Sequence, residues 1–109
     1  MTDITSNDFD KNIESDKPVL VDFSAAWCGP CRMVSNVLND LALEMNPSVN
    51  FAKLDIDNSP DLAERFAVQS IPTLILFKAG REIGRTVGAS SKQSLKSFIE
   101  SSLSKPLAA

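Results

Sequence analysis

Residues 19–31 read Val-Leu-Val-Asp-Phe-Ser-Ala-Ala-Trp-Cys-Gly-Pro-Cys, and this stretch decides the fold. The mostly apolar run over residues 19–24 is typical of a strand covered on both faces, and a long helical pattern begins at Pro30. Cys28 and Cys31 lie at this junction, and they are the only two cysteines in the chain. A C-x-x-C pair between a strand and a helix indicates redox chemistry.

The segments on either side of this junction alternate between helical and strand-like patterns. Ser6 or Asn7 is expected to cap an early helix, and Ser90 with Gln93 predicts a capping box for the last one. Strand–helix–strand units followed by a hairpin favour an α/β fold, with helices on both faces of a mixed sheet. The predicted elements are a weak strand over 2–4, helices over 6–15, 30–45 and 60–67, strands over 19–24, 49–56, 73–78 and 82–87 with a hairpin at 79–81, and a final helix.

The composition bounds the size and class of the protein. At 109 residues the chain has the length of one domain, which we expect to span residues 1–109. The net charge of −3 and the scattered basic residues argue against a nucleic-acid interface, and no apolar run approaches the roughly 18 residues of a membrane span. The polar N-terminus lacks a signal-peptide pattern, so we expect a cytoplasmic location, although a chain trimmed of a leader would look the same.

Histidine is absent, which excludes Ser–His and Cys–His nucleophile pairs and histidine metal sites within the chain. Zinc usually requires four ligands, so a complete site within one chain is not expected. Two other interpretations of Cys28 and Cys31 stay open at this point. They are an inert structural bridge, which would close a very short loop, and a four-cysteine metal site shared between two chains.

The position of Cys28 favours the thiolate, the form of cysteine that attacks disulfides. Unpaired backbone N–H groups and the positive end of the helix dipole favour an anion at a helix N-terminus. Gly29 and Pro30 then place Cys31 one turn into the helix, within bonding distance and less exposed, and proline is well tolerated in a first turn. Cys28 is therefore the candidate nucleophile, and Cys31 the candidate for resolving a mixed disulfide.

Asp22 interrupts the apolar strand and is the candidate proton acceptor or donor near Cys31. Burial penalises the charged carboxylate, so we expect a raised pKa, which suits proton transfer. The alternative is an edge-strand residue that faces water. Lys53 belongs to the next predicted strand, either beside Asp22 or solvated on the surface.

Three further residues have a pattern typical of a binding surface. Pro72 follows Ile71 directly before an apolar strand, and a cis bond there would leave backbone groups free for a peptide partner, although most X-Pro bonds are trans. Trp27 is the only tryptophan, and its position beside Cys28 favours a docking surface over a core residue.

Over nearly its whole length the chain resembles the thioredoxin family. The resemblance rests on Val21-Asp22-Phe23, Trp27-Cys28-Gly29-Pro30-Cys31-Arg32-Met33, Ala52-Lys53-Leu54-Asp55-Ile56-Asp57, Ile71-Pro72-Thr73-Leu74 and Val87-Gly88-Ala89.

The resemblance implies five strands, four helices and a cis Ile71–Pro72 bond. It implies that Cys28 is the nucleophile, Cys31 the resolving thiol, Asp22 the buried acid and Lys53 its neighbour. It further implies protein disulfides as substrates, a flavin-containing thioredoxin reductase using NADPH as the reductant, and no cofactor on the chain itself; we also expect a monomer. The substrate groove would comprise Trp27, Gly29, Pro30, Ile71, Pro72, Gly88 and Ala89.

The chain departs from the family pattern at two places. Asn36 stands where a helix-kinking proline is common, so we expect a straighter or differently bent helix. Residues 24–26 read Ser-Ala-Ala where Trp-Ala-Glu is common, which we expect to alter partner preference and redox potential.

Three functions remain to be compared. A general dithiol reductant is favoured because the Gly-Pro dipeptide contains no histidine, which related oxidases and isomerases usually carry between the cysteines. A non-catalytic binding subunit would not need either thiol. A disulfide oxidase or isomerase would differ from the reductant in its reduction potential.

Overall fold

The computed structural model describes residues 1–105, and these form the predicted α/β arrangement of a five-stranded sheet and four helices. The weak first strand is present. In chain order the elements are β1 (Thr2–Ile4), α1 (Phe9–Ile13), β2 (Val19–Ser24), α2 (Gly29–Met45), β3 (Asn50–Asp55), α3 (Pro60–Arg65), β4 (Thr73–Lys78), β5 (Arg81–Val87) and α4 (Lys92–Ser104).

Strand β2 lies at the centre of a mixed sheet whose order is β1-β3-β2-β4-β5. It runs parallel to β3 and antiparallel to β4, and all six of its residues are buried. A strand covered on both faces reads as an apolar run, which is why β2 shows little alternation. Asp22 therefore lies in the middle of the sheet, and the edge-strand alternative for this residue is wrong.

Each face of the sheet packs against two helices. Helices α1 and α3 cover one face with Phe9, Ile13 and Leu62, which join the core around Val21 and Phe23. On the other face, α2 and α4 bury the stripes at Val34, Leu38, Leu41, Leu95 and Ile99. Within residues 1–105, no helix combines the length and apolar character that a membrane crossing would need.

The predicted helix caps are wrong by one or two residues. Helix α1 follows Asp8 instead of Ser6 or Asn7, because the Ser6 hydroxyl donates to Asp61 Oδ1 at 2.6 Å. Helix α4 is capped by Ser91, whose Oγ accepts from the Ser94 N–H at 3.1 Å. The predicted capping box of Ser90 with Gln93 does not form, since the Gln93 amide donates to Ser97 Oγ at 3.3 Å.

Helix α3 ends at Arg65, two residues before its predicted end, in a left-handed C-terminal turn. Ala67 has φ +53°, its N–H donates to the Glu64 carbonyl at 3.1 Å, and the Val68 N–H donates to the Ala63 carbonyl at 2.8 Å. These are the paired bonds of a Schellman motif, usually built with glycine. The motif turns the chain towards Ile71 and Pro72.

Candidate redox site

The two cysteines form a disulfide at the N-terminus of α2. Their Cα atoms are 5.3 Å apart. Cys28 is the N-cap residue, and its sulfur accepts a hydrogen bond from the Cys31 backbone N–H at 3.2 Å. The helix terminus thus directs a backbone donor at the Cys28 sulfur, in the place where the dipole favours negative charge. Both cysteines are largely buried, with 5% of Cys28 and 1% of Cys31 exposed.

Asp22 is fully buried on the sheet face that α2 covers. Ser35 lies one helical turn after Cys31, and its hydroxyl donates a long hydrogen bond of 3.4 Å to Asp22 Oδ2. Lys53 is the register partner of Asp22 on β3. Burial raises the pKa of Asp22 from 3.8 to about 6, against the smaller opposing effects of the Lys53 charge and the Ser35 hydrogen bond.

The Trp27 indole is exposed but held in place. Its Nε1–H donates to Asp57 Oδ2 at 2.8 Å, and the Asp57 backbone N–H donates to Asp55 Oδ1 at 2.8 Å. Arg32 donates to the Ala26 carbonyl at 3.1 Å, which ties the segment before the disulfide to α2. An indole with 68% of its surface exposed is therefore held by a hydrogen bond from the segment after β3.

A pocket of about 480 Å³ lies against the disulfide, and its lining contains no charged residue. Five predicted site residues meet there: Trp27, Cys28, Gly29, Pro30 and Ile71. Sequence reasoning missed the four other lining residues, Ile56, Val68, Gln69 and Ser70.

The remaining predicted groove residues, Pro72, Gly88 and Ala89, are not part of the lining of this pocket. The Ile71–Pro72 bond is cis, and the buried Pro72 offers its carbonyl to the Gly88 N–H at 2.8 Å. Gly88 has φ +91°, a conformation that favours glycine. Ala89 lines a second, largely apolar pocket of about 390 Å³ with Met33, Val34, Val37, Ser90 and Ser91.

The missed residues differ in how far the sequence could have indicated them. Ser35 follows Cys31 by four positions, so the helical repeat alone predicts that it shares the buried face of α2. Asp57 meets Trp27 across thirty residues of chain, and no local pattern marks that contact. Val68, Gln69 and Ser70 line the pocket from the segment that joins α3 to β4.

A disulfide at a helix N-terminus, beside a buried carboxyl group and an uncharged pocket, defines the class of thiol–disulfide oxidoreductases. Comparison with known sequences agrees. The profile of the family described as Thioredoxin matches residues 1–101. This chain belongs to the thioredoxin family.

Several curated relatives, each named Thioredoxin, are similar over most of their length. One from Alicyclobacillus acidocaldarius is 47% identical over 93 residues, covering 85% of this chain and 89% of the relative. One from Staphylococcus saprophyticus is 46% identical over 100 residues, covering 92% and 95%.

A Mycobacterium leprae protein named "Bifunctional thioredoxin reductase/thioredoxin" is 52% identical over 83 residues, covering 76% of this chain and 18% of that protein.

Proposed function

We propose that this thiol–disulfide oxidoreductase is a general reductant of protein disulfides, with Cys28 as the nucleophile and Cys31 as the resolving thiol. The observation that carries the proposal is the Cys28 sulfur at the N-cap of α2, against the uncharged pocket, with Cys31 one turn deeper. A thiolate at this position is stabilised by the helix terminus and reaches the pocket first.

The reaction balances as two successive thiol–disulfide exchanges. The Cys28 thiolate attacks one sulfur of the target disulfide, forming a mixed disulfide and releasing the other target sulfur as a thiolate. Cys31 then loses its proton and attacks the Cys28 sulfur, which forms the Cys28–Cys31 bond and releases the second target thiolate. The target gains two electrons, and the cysteine pair loses two.

Asp22 is proposed to accept the proton that Cys31 loses. Its carboxylate lies below the first turns of α2, joined to that helix through Ser35. A pKa of about 6 keeps it mostly ionised at neutral pH and still basic enough to take a proton. Lys53, the register partner of Asp22, is proposed to stabilise the ionised form.

The target segment is proposed to bind along the pocket, between Trp27 and Ile71, where recognition would be apolar and peptide-like. Gly29 and Pro30 would form the floor beside the sulfur, and Pro72, Gly88 and Ala89 would extend the surface. The lack of charge in the lining supports a general reductant over one selective for a charged sequence.

A flavin-containing thioredoxin reductase using NADPH is the proposed source of electrons. The natural fusion named "Bifunctional thioredoxin reductase/thioredoxin" in Mycobacterium leprae supports this partnership. We further propose that residues 1–109 act as one domain, as a monomer, in a reducing compartment such as the cytoplasm, where a dithiol is maintained.

Trapping partners on a Cys31→Ser variant is the decisive experiment. Without its resolving thiol, the variant should accumulate mixed disulfides through Cys28, and a Cys28→Ser variant should trap none. The wild type should reduce a protein disulfide such as that of insulin when a dithiol donor is supplied. The reductant function is wrong if the wild type shows no turnover. It is also wrong if the reduction potential of the Cys28–Cys31 pair lies well above the cytosolic glutathione range of roughly −320 to −220 mV.

A further inference from the structure

A second apolar pocket lies beside the redox pair, and the proposed chemistry does not use it. Its volume is about 390 Å³. Its walls are the first three turns of α2 and the segment that joins β5 to α4, and its lining residues are Met33, Val34, Val37, Ala89, Ser90 and Ser91. None of these six residues is charged. Concave, mainly apolar pockets of about 300–1,000 Å³ are typical of sites that hold apolar groups of a ligand.

This pocket and the pocket against the disulfide have walls that belong to opposite faces of the sheet. Val68, in the wall of the disulfide pocket, packs against the core that α1 and α3 cover. Val34, in the wall of the second pocket, belongs to the core under α2 and α4. The hydrogen bond of 2.8 Å from the Gly88 N–H to the Pro72 carbonyl joins the two sides. A target chain that crosses Cys28 therefore has one apolar pocket on each side.

Exposed apolar side chains concentrate around the redox pair. In residues 1–105, five large apolar side chains are exposed, and three of them belong to segments at the site. Trp27 precedes Cys28, Met33 lies in the second pocket with 66% of its surface exposed, and Val87 precedes Gly88. Clusters of this kind mark interaction sites. Methionine is unbranched and polarizable, so Met33 can adapt to apolar groups of different shapes.

The helical rise places the second pocket a few residues of extended chain away from the nucleophile. Met33 and Val34 follow Cys28 by five and six positions, which corresponds to about 8 Å along α2 at ~1.5 Å per residue. An extended polypeptide rises about 3.3 Å per residue, and residues two apart point to the same face. The side chain two residues from a target cysteine is therefore about 7 Å away, on the face that meets α2.

A polar target side chain would find little to bind in this pocket. The Ser91 hydroxyl is engaged at the cap of α4, where it accepts from the Ser94 N–H at 3.1 Å and donates to Ser94 Oγ at 3.0 Å. Arg32, the charged neighbour of Met33 in the chain, donates to the Ala26 carbonyl at 3.1 Å and is not among the lining residues. The pocket therefore favours an apolar side chain.

We propose that this pocket is a second subsite of the redox site, that it takes a bulky apolar side chain two residues from the target cysteine, and that Met33 sets this preference. The inference deepens the proposed function and rests on it. The subsite adds affinity for the target segment and no covalent step. The preferred substrates are then disulfides in which an apolar residue lies close to the cysteine that Cys28 attacks.

The experiment compares Met33→Gln with Met33→Leu in a double-mutant cycle with the substrate. Glutamine keeps the unbranched stem of methionine but is polar, whereas leucine keeps the wall apolar. The substrates are symmetric disulfide dimers of short peptides that carry leucine or asparagine, which are similar in shape, two residues before or two residues after the cysteine. The measured quantity is the second-order rate constant for reduction of each peptide dimer by the pre-reduced protein.

We expect the wild type and Met33→Leu to reduce the leucine peptide about tenfold faster than the asparagine peptide at one of the two positions, because the bound leucine is removed from water. Met33→Gln should lower this ratio to about threefold. Leu43→Gln, at an exposed residue of the same helix outside the pocket, is the control and should keep the wild-type ratio. Equal ratios for the two Met33 variants at both positions would overturn the inference.

Two further measurements separate the subsite from other roles of Met33. Dithiothreitol is too small to need the pocket, so it should reduce the Cys28–Cys31 disulfide at the same rate in the wild type and both variants. Slower reduction in Met33→Gln alone would place Met33 in the chemistry of the sulfurs and reject the subsite. A change of oligomeric state in Met33→Gln, seen by sedimentation with unchanged peptide ratios, would assign the pocket to a second copy of the chain. Failure of the proposed function would appear separately, as absent trapping by Cys31→Ser.

Discussion

At the scale of single residues, the candidate site contains a carboxyl group whose charged form is destabilised by burial. Asp22 is the only charged residue in β2, and it is fully buried. The fold gives this group a pKa of about 6, against 3.8 in its ordinary setting. The proposed proton acceptor for Cys31 and a source of instability are therefore the same side chain.

Asp22→Asn should stabilise the protein at neutral pH. Because the folded-state pKa is the higher one, the contribution of Asp22 to stability is fully present below pH 3.8 and is lost as the pH rises through about 6. At 1.36 kcal/mol per pH unit, the expected gain for the variant at pH 7 is about 3 kcal/mol, falling to near zero at pH 3.8. Denaturant unfolding at both pH values measures it. Asp16→Asn, at an exposed aspartate, is the control, and an equal gain at both pH values would contradict the explanation.

Asp57→Ala should weaken target binding while leaving the chemistry of the sulfurs intact. The change removes the hydrogen bond to the Trp27 indole, so binding must then order a freer side chain, at a cost of about 0.5–1.5 kcal/mol. We expect KM for insulin to rise about two- to tenfold with little change in kcat. Glu64→Ala removes an exposed negative charge elsewhere and should leave KM near the wild-type value. A KM that responds equally to both variants would point to net charge instead.

At the scale of elements, the long periodic segments were predictable and their ends were not. The stripe at Val34, Leu38 and Leu41 identifies α2 from its spacing alone, and β2 is recognisable as a buried run. Ser90 and Ser91 are equally suitable caps by type, and it is Ser91 that accepts the hydrogen bond from the Ser94 N–H.

The candidate site divides in the same way. Cys28, Cys31 and Asp22 lie within ten residues of chain, so one strand–helix junction predicts their proximity. The Trp27–Asp57 hydrogen bond joins residues thirty apart, and it depends on the order of strands in the sheet. Contacts of that kind need the folded structure because no local periodicity relates the two residues.

Gly84→Ala should destabilise the contact between β5 and α4. A methyl group at Gly84 would overlap the Ser102 side chain and approach Phe98 Cε1 to 3.2 Å. Overpacking of this kind costs about 1–3 kcal/mol in unfolding free energy, measurable by denaturant titration. Gly29→Ala is the matched control, because a methyl group there meets nothing within 4 Å. Equal stability of the two variants would show that α4 moves away freely.

At the scale of the whole molecule, the redox pair lies outside the main cores. The two large apolar clusters occupy opposite faces of the sheet, whereas the cysteines belong to a small third cluster with Ala25. The sheet, in contrast, reaches the site directly, since β2 ends four residues before Cys28.

Reduction of the disulfide should therefore leave the fold intact. The bond closes a loop with a sequence separation of 3, so the chain-entropy argument gives it about 2 kcal/mol of stabilisation. We expect the reduced protein to keep its circular dichroism spectrum and to unfold cooperatively at slightly lower denaturant. The Cys28→Ser/Cys31→Ser double variant should resemble the reduced form. Loss of hydrogen-exchange protection in β2 and β4 upon reduction would contradict this expectation.

The anchored indole beside the disulfide also makes the molecule its own optical reporter. The chain contains one tryptophan and no tyrosine, so indole emission comes from Trp27 alone, one residue from Cys28. Disulfides quench nearby excited indoles by accepting an electron, and thiols do so less efficiently. Because the hydrogen bond to Asp57 holds the ring in place, a change in fluorescence intensity reports the oxidation state of the sulfurs and not a movement of the indole. Oxidation and reduction can thus be followed continuously in unlabelled protein.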